Sequence, residues 1–363
     1  MNIGRLTFVV TDDCNFRCRY CSQEKNGTRI THPIIRNALE FFSPFFMEDL
    51  VMNFYGGEPL LAYDYIRYAV EMTRELIGNR NIECTFGIST NGSLLNDDIL
   101  AFFDEHRFSV LLSFDGLAQD LNRQPGSFDQ MVKILKRIQD FPGIYLETNS
   151  VFNPQSVSML SESMRFMVEQ GSTAAMVDVS SIDPWSASEI ASFEEQFEQL
   201  REYLVSYYKT HRVIPVSNFQ ENKRTRLFGC GAGSGRMAIA PDGKLWGCPL
   251  FYDYFKGKEN TPDYRKYFFG DLDTFIAHHE TIHPNILLHY EELNQDYFCT
   301  DHGYCFMCDE LEECATCPIF AAQASSELGK IPSRVCELTK IRRRVIKEFY
   351  QDIAPIKSIP MDN

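Results

Sequence analysis

The sequence predicts an α/β fold, a partial (β/α)6 barrel of the TIM type followed by a smaller, loop-rich domain. Up to about residue 215, short apolar segments alternate six times with amphipathic segments of roughly 10 to 15 residues. Strands joined by such helical crossovers form a parallel sheet, and six units suit an open barrel better than a closed barrel of eight. Beyond residue 215 the alternation stops, and cysteine, glycine and proline become frequent. The predicted domains are therefore residues 1–215 and 216–363.

The first two units are defined by the residues at their ends. The run RLTFVV is the first buried strand, and THPIIRNALEFFSPF is a helix with Thr31 as candidate N-cap and Pro33 in its first turn. The second strand, LVMNFYGG, ends on glycines. The helix DYIRYAVEMTRELIGN ends at Gly78, as helices commonly end at glycine.

The other four units repeat this pattern. Their strands read, in order, IECTFGISTNG, FSVLLSFDG, GIYLETNSVF and AAMVDVS. Their helices read NDDILAFFDEH, SFDQMVKILKRIQD, SVSMLSESMRFMVEQG and SASEIASFEEQFEQLREYLVSYYKTH. In the second domain only patches such as SRVCELTKIRRRVIKEFY look helical, so we expect loops and a C-terminal helix.

Composition and charge exclude several classes of protein. The chain is 44% hydrophobic and has a formal net charge of −15, which fits a packed globular protein. A general nucleic-acid binder would need a basic surface. No run of about 18 apolar residues occurs, and no signal peptide is visible. We therefore expect no nucleic-acid partner, no membrane span and a cytoplasmic location.

The twelve cysteines indicate metal or cluster binding, because disulfide frameworks belong to small secreted chains. Three of them lie within eight positions, in the order Cys14-x3-Cys18-x2-Cys21. Cys84 stands alone in a predicted strand, where a small core residue is expected. The other eight begin only at Cys230.

Two other kinds of site are alternatives to a cluster with an open iron at the three close cysteines. A structural zinc site has four protein ligands, and His32, the nearest further candidate ligand, opens a predicted helix. A bacterial ferredoxin run has a shorter first gap and a further Cys-Pro. A 4Fe–4S cluster held by three thiolates leaves one iron open to a substrate. That would explain why no fourth cysteine lies beside these three.

This spacing, with an aromatic residue before the last cysteine, resembles the CxxxCxxC signature of the radical S-adenosylmethionine (radical SAM) superfamily. The resemblance implies that Cys14, Cys18 and Cys21 hold a catalytic 4Fe–4S cluster whose open iron chelates S-adenosylmethionine (SAM). It also implies that Tyr20 belongs to the cofactor-binding residues. Electron transfer would then cleave the sulfonium, and a 5′-deoxyadenosyl radical would take a hydrogen atom from the substrate.

Further segments between residues 5 and 180 resemble the same family. YGGEPLL resembles its GGE stretch, in which Gly56 and Gly57 let the backbone approach the ligand ammonium and Glu58 adds charge-assisted bonding. A plain strand-end turn is the alternative. STNGSLL resembles the family's fourth-strand segment, and LSFDG resembles its fifth-strand segment.

These segments imply a set of SAM contacts at the carboxyl ends of the strands, where such sheets place their chemistry. The implied contacts are Ser89 and Asn91 near the ribose hydroxyls, Ser113 and Asp115 near the site, Arg123 at the SAM carboxylate, and Asn149 at the end of the next strand. An ordinary surface arginine is the alternative for Arg123.

The later cysteines are similar in order to the SPASM extension of many radical SAM enzymes. That pattern is C-x(9–15)-G-x4-C, then C-x2-C-x5-C-x3-C, then a final cysteine. The chain follows it, with its last short gap one residue shorter, at Cys230, Gly243, Cys248, Cys305, Cys308, Cys314, Cys317 and Cys336. Two structural zinc knuckles are the alternative.

The SPASM resemblance implies two auxiliary 4Fe–4S clusters. The outer cluster would take Cys305, Cys308, Cys314 and Cys336, and the inner cluster would take Cys230, Cys248 and Cys317. Some relatives have a further cysteine where this chain has Arg236. Either Cys299 supplies the fourth inner ligand or one inner iron stays open to substrate. Such clusters relay electrons, stabilise the fold, or both.

We expect a peptide maturase that uses SAM and three 4Fe–4S clusters to install a thioether or carbon–carbon crosslink, such as a cyclophane, in a ribosomally made peptide. Its expected partners are that peptide or protein substrate and a flavodoxin- or ferredoxin-like electron donor. One alternative is sulfatase-maturase-like oxidation of a Ser or Cys side chain. Pro249 counts against this alternative. The resemblance implies that sulfatase maturases carry an acidic residue directly after the second SPASM cysteine, which is Cys248 here. The alternative of another class is a non-catalytic zinc-binding scaffold.

Overall fold

The computed structural model describes residues 1–220, 231–293, 299–300, 303–310, 314 and 316–357. Its main feature is a nine-stranded sheet. The described strands are β1 Ile3–Thr11, β2 Phe46–Gly56, β3 Glu83–Thr90, β4 Ser109–Ser113, β5 Tyr145–Phe152, β6 Ala175–Val179, β7 Arg236–Ile239, β8 Lys244–Trp246, β9 Gly270–Asp271, β10 Cys299–Thr300 and β11 Gly303–Tyr304. Their order in the large sheet is β6-β5-β4-β3-β2-β1-β7-β8-β9, and β10 pairs with β11 alone.

Helices follow the strands as the periodicity predicts. The described α-helices are α1 His32–Phe42, α2 Tyr63–Ile77, α3 Asp97–Glu105, α4 Gln119–Asn122, α5 Phe128–Ile138, α6 Leu160–Glu169, α7 Ala187–His211, α8 Pro249–Phe255, α9 Pro262–Tyr267, α10 Leu272–Glu292, α11 Pro318–Ser325 and α12 Ser333–Lys357. Short 3-10 turns cover Ser43–Phe45, Pro59–Ala62, Gly116–Ala118, Val157–Met159, Ser217–Phe219 and Cys305–Met307.

The predicted partial barrel of six β/α units is confirmed. Strands β1 to β6 each pair in parallel with the next, as in Phe8 with Phe54 and Phe54 with Ile88. The predicted start of α1 and the predicted end of α2 are also confirmed. Thr31 has an extended backbone before α1, although its side chain makes no capping hydrogen bond, and Gly78 ends α2 with φ of 50°.

The sheet continues beyond the predicted barrel. Strand β7 pairs in parallel with β1, and β8 and β9 add antiparallel strands beyond it. The predicted boundary at residue 215 falls between α7 and β7, so the sheet itself crosses it. The residues after that boundary therefore help to enclose the barrel interior.

The core is rich in phenylalanine on the strands. Phe8, Phe54, Phe86 and Phe108 are almost fully buried, and the rings of Phe86 and Phe108 stack with centroids 5.6 Å apart. Burial of each such side chain stabilises the fold by about 1.5 to 3 kcal/mol. This packing makes the strand ends a rigid platform for the side chains that follow them.

The C-terminal helix packs back on the barrel. Helix α12 buries Val345, Phe349 and Ile353, and Arg344 on its outer side pairs with Glu194 of α7 at 2.7 Å. Apolar packing accounts for most of the attachment, because exposed ion pairs contribute little. Among the described helices, none combines the length and the hydropathy needed to cross a membrane.

Candidate functional site

One cavity of about 960 Å³ lies inside the barrel and reaches the carboxyl ends of its strands. Cys14, Cys18 and Cys21 line it from the loop after β1, and Cys248 and Cys317 line it from the region after the barrel. Two groups of cysteines far apart in the sequence therefore face a single chamber. The same wall carries many of the polar side chains that the sequence singled out.

The two glycines at the end of β2 hold the start of the cysteine loop. The Gly57 amide donates to the Thr11 carbonyl at 3.0 Å, and the Glu58 amide donates to the Asp13 carbonyl at 2.7 Å. A Cβ on Gly56 would lie 2.2 Å from the Thr11 oxygen, and one on Gly57 would lie 2.3 Å from the Asp13 oxygen. Only glycine permits this approach. Both glycines also line the cavity, as the expected ligand contact requires.

Glu58 takes a different position from the one expected. Its side chain is fully buried and lies behind the cavity wall. Its carboxylate accepts hydrogen bonds from the Leu60 amide at 3.0 Å, the Thr90 hydroxyl at 2.7 Å and the Asn91 amide at 2.7 Å. Burial raises the pKa of Glu58, and these bonds oppose the rise. Glu58 therefore joins the ends of β2 and β3 instead of pointing at a ligand.

Ser89 and Asn91 line the cavity beside the cysteine loop. The Asn91 side-chain amide donates to Asn15 Oδ1 at 2.9 Å and lies 3.9 Å from Cys14 Sγ. The two strands come in the order that the sequence predicts. Because β2 pairs directly with β3, Ser89 belongs to the third strand, and Ser113 belongs to the fourth.

A buried ion pair anchors the other side of the loop. Asp115 is fully buried and accepts from Arg123 Nε, from the Tyr20 hydroxyl and from the Val151 amide, each at 2.9 Å. The Arg123 guanidinium lies 5.4 Å above the Tyr20 ring, and burial raises the pKa of Tyr20 well above its usual range. Arg123 is not a surface residue, and it lines the cavity, whereas Asp115 lies behind it.

Asn149 lies inside β5, and the expectation that it ends its strand was wrong. The strand continues to Phe152, because those three further residues pair with β6. The backbone carbonyl of Asn149 accepts from Arg123 at 3.0 Å. Its side-chain Oδ1 is buried at the cavity wall and has no hydrogen-bond partner among the described residues. Because buried polar atoms are normally hydrogen-bonded, we expect a donor group of a bound ligand to contact this oxygen.

Burial favours the protonated form of two thiols of the loop. Burial raises the pKa of Cys14, and it raises the pKa of Cys18 to about 11 although Arg123 opposes the rise. Negative charge on Cys14 or on Cys21 raises the pKa of Cys18 further, so the three sulfurs are neighbours. Cluster assembly must therefore release protons.

In the described residues no three Cys, His, Asp or Glu side chains converge as they would on a single metal ion.

The structure also brings together the cysteines predicted for the outer cluster. Burial raises the pKa of Cys336, while Lys340 lowers it and the nearby thiols Cys314 and Cys308 raise it further. Cys305 packs against the same small apolar cluster as Cys336, and its carbonyl accepts from the Cys308 amide at 2.9 Å. The four sulfurs thus share one corner of the molecule.

Two of the cysteines predicted for the inner cluster line the main cavity. Cys248 and Cys317 stand directly before helices α8 and α11, each followed by a proline in the first turn. Cys230 lies outside the described residues. Of Cys299 only the backbone, in β10, is described.

A buried polar group beside the cavity was missed by sequence reasoning. The Gln23 side-chain amide donates to Asp253 Oδ2 at 2.9 Å and to the Tyr55 hydroxyl at 3.1 Å. Lys256 Nζ lies 3.6 Å from the other Asp253 oxygen. Burial raises the pKa of Asp253 to about 6, which makes this carboxylate a proton acceptor near neutral pH. Its only sequence signals are positional, since Gln23 follows Cys21 by two residues and Tyr55 precedes the glycines.

Comparison with known proteins identifies one domain of the chain. Residues 8–167 match the model of the radical SAM superfamily. The chain carries a radical SAM domain. Enzymes of this family bind SAM and a 4Fe–4S cluster, and the cysteine-rich region after the radical SAM domain fits the SPASM arrangement.

Two relatives show how much of the chain is similar in sequence to known proteins. A cysteine-type anaerobic sulfatase-maturating enzyme of Clostridium novyi is 32% identical over 159 residues, or 38% of this chain and 41% of that protein. A GTP 3′,8-cyclase of Aquifex aeolicus is 24% identical over 284 residues, or 71% of this chain and 85% of that enzyme. The chain spans less than half of the first relative and most of the second.

A likeness of fold extends over nearly the whole chain. The solved structure of anSMEcpe with bound AdoMet, which is SAM, superposes with a TM-score of 0.73 and covers 98% of this chain and 100% of that one. The sequences are 14% identical, so the likeness is one of fold. The residues present fit the cofactor: three neighbouring thiols, two cavity-lining glycines and the unpartnered Asn149 acceptor face one chamber.

Proposed function

We propose that this radical SAM protein is a peptide maturase that installs a thioether or carbon–carbon crosslink in a ribosomally made peptide. The observation that carries the proposal is the single chamber that Cys14, Cys18 and Cys21 share with Cys248 and Cys317. A substrate in this chamber lies within reach of both groups of thiols. A flavodoxin- or ferredoxin-like protein would supply electrons.

The loop cysteines Cys14, Cys18 and Cys21 would hold the catalytic cluster, and the carboxyl ends of the strands would hold SAM. When bound, this pair of cofactors supplies a 5′-deoxyadenosyl radical for hydrogen-atom abstraction. The chain's own groups would position SAM. These are backbone groups at Gly56 and Gly57, side chains of Ser89, Asn91, Ser113 and Asn149, and the guanidinium of Arg123. Glu58, Asp115 and Tyr20 act through the groups that they hold in place.

Two auxiliary clusters complete the proposal, with residues 1–215 and 216–363 as the two domains. Cys305, Cys308, Cys314 and Cys336 would hold the outer cluster. Cys230, Cys248 and Cys317 would hold the inner one, and either Cys299 or the substrate would supply its remaining ligand. Crosslink formation after hydrogen-atom abstraction requires one further electron to leave the substrate, and an inner cluster held by Cys248 and Cys317 would supply an acceptor for it.

A peptide substrate is supported by the chamber and by a protein of the same fold. The cavity wall includes Ile182 and Phe320, which are 37% and 45% exposed and leave apolar surface open at its edge. The anSMEcpe structure has also been solved with a bound peptide, at a TM-score of 0.69 to this chain.

Asp253 favours oxidation of a Ser or Cys side chain as a second candidate. Pro249 occupies the place directly after Cys248, but helix α8 carries Asp253 to the Tyr55 hydroxyl at the cavity wall. A carboxylate with a pKa of about 6 can accept the proton that such an oxidation releases. The C. novyi relative is consistent with this chemistry.

The product separates these candidates. The reconstituted enzyme would be incubated with SAM, reductant and any short Cys-, Gly- or aromatic-rich peptide encoded beside its gene, with GTP as control substrate. A crosslink appears in mass spectrometry as the loss of two hydrogen atoms without a carbonyl that hydrazide reagents trap. A trapped aldehyde would establish the second candidate. Turnover of GTP alone would contradict both.

Replacing Cys305 with alanine should lower iron content by about four atoms of roughly twelve per chain and lower the thermal midpoint. The reason is that the outer thiolates and their metal stabilise loops that have little apolar core of their own. Iron assay and thermal melting under anaerobic conditions measure both effects.

Cys84 provides the matched control. It lies in β3 against the hydrophobic core, and burial raises its pKa to about 12, so Cys84→Ala should keep all the iron. Unchanged iron in Cys305→Ala would show that the ligand assignment is wrong.

A further inference from the structure

Two arginines stand side by side on the cavity wall. Arg5 of β1 and Arg236 of β7 are direct partners in the parallel pairing of these strands, and both line the cavity. The Arg5 amide donates to the Gly235 carbonyl at 2.9 Å, which fixes the register. Partners on adjacent strands project to the same face of a sheet, so both guanidiniums belong to one patch.

This arginine pair has no counter-ion in the described part of the chain, although the protein is strongly acidic, with a net charge of −15. The other two arginines on the same wall are paired, Arg123 with Asp115 at 2.9 Å and Arg342 with Asp178 at 3.4 Å. Burial lowers the pKa of Arg5, and the charge of Arg236 lowers it further. Arg5 is half-buried and Arg236 is exposed to the chamber, and an anion bound between them would offset the repulsion of their like charges.

The arginine pair lies close to Cys248, one of the cysteines predicted for the inner cluster. Arg236 packs against Gly231, where a Cβ would lie 3.0 Å from its Nε. The Cys248 thiol is close enough to Arg5 to affect its pKa. Val51, the partner of Arg5 on β2, and Thr7 continue the same wall. An anion bound here would sit inside the chamber, beside Cys248 and below the loop of Cys14, Cys18 and Cys21.

We propose that Arg5 and Arg236 bind a carboxylate of the peptide substrate, from an Asp or Glu side chain or from a free C-terminus. Guanidiniums match carboxylates with paired, charge-assisted hydrogen bonds. This contact fixes which substrate residue lies near the catalytic loop, because the bound carboxylate sets the register of the peptide in the chamber. The inference rests on the proposed function, in that the substrate is taken to be a peptide.

The test compares three synthetic probes with the anaerobically reconstituted enzyme by isothermal titration calorimetry. The first is acetyl-Gly-Cys-Gly-Glu-Gly-amide, the second is its Gln twin, and the third is the Gln twin with a free C-terminus. We expect one carboxylate probe to bind about tenfold or more tightly than the neutral amide. The Glu and free-acid probes distinguish a side-chain from a terminal carboxylate. Equal binding of all three, or no binding of any, would overturn the inference.

Variants separate this role from a purely structural one. In R5Q/R236Q the preference for the carboxylate probe should fall to within about twofold, whereas R5K/R236K, which keeps both charges, should retain part of it. R67Q, on the exposed side of α2, should keep it in full. If the preference survives in R5Q/R236Q, or if that variant changes only the reduction potential of the inner cluster, the pair binds no substrate carboxylate. Formation of 5′-deoxyadenosine without peptide tests SAM cleavage separately, and the crosslink assay described above tests the proposed function.

Discussion

Replacing Arg123 with methionine should lower the free energy of unfolding by roughly 3 to 5 kcal/mol. Methionine keeps much of the apolar stem but leaves the Asp115 carboxylate, which is fully buried, without its ion pair. Tyr20 loses the guanidinium above its ring at the same time. Since this group attaches the cysteine loop to β4 and β5, the variant should also bind less iron. Anaerobic denaturant unfolding with a parallel iron assay measures both.

Arg137→Met is the control for that experiment. Arg137 pairs with Asp97 and Asp140 at 2.9 and 2.8 Å, but all three side chains are exposed, so the unfolding midpoint should barely move. Asp115→Asn in the Arg123→Met background should recover part of the loss, because it removes the unpaired charge. Equal effects of Arg123→Met and Arg137→Met would contradict the buried ion pair as the anchor of the loop.

Replacing Gly57 with alanine should detach the cysteine loop from β2. The new Cβ would lie 2.3 Å from the Asp13 carbonyl oxygen, and a backbone atom cannot rotate away as a side chain does. We expect a loss of about 1 to 3 kcal/mol from overpacking and of about four irons per chain, the content of one cluster. Thermal melting and iron analysis of the reconstituted variant measure these losses.

Gly4→Ala is the matched control, because both glycines have ordinary backbone angles. The nearest atom to a Cβ on Gly4 is the Met47 sulfur at 3.3 Å, which belongs to a flexible side chain and can move. Gly4→Ala should therefore keep its iron. Full iron loading in Gly57→Ala would show that the glycine serves only as a turn.

The cysteine loop and the six strands of the barrel could be predicted because both are local properties of the chain. Cys14, Cys18 and Cys21 lie within one loop, and apolar periodicity marks β1 to β6. Strands β7 and β8 were missed since they have only four and three residues, too few for periodicity to show.

The depth of each side chain could not be predicted, because a strand end does not reveal which way its residues point. Glu58 and Asp115 follow strands as expected, yet both lie behind the cavity wall, where protein donors satisfy them. Asp253 and Gln23 meet across 230 positions of sequence. Arg5 and Arg236 become neighbours only when β7 joins β1. Contacts of this kind depend on the order of strands in the assembled sheet.

The most direct measurement of the central claim is the release of 5′-deoxyadenosine. The protein would be reconstituted with iron and sulfide without air, mixed with SAM and dithionite, and its products separated by chromatography. We predict 5′-deoxyadenosine from the parent protein and none from Cys14→Ala, which lacks one of the three thiolates that would hold the catalytic cluster. Fully iron-loaded parent protein that leaves SAM intact, or a Cys14→Ala variant that cleaves it equally well, would contradict the account.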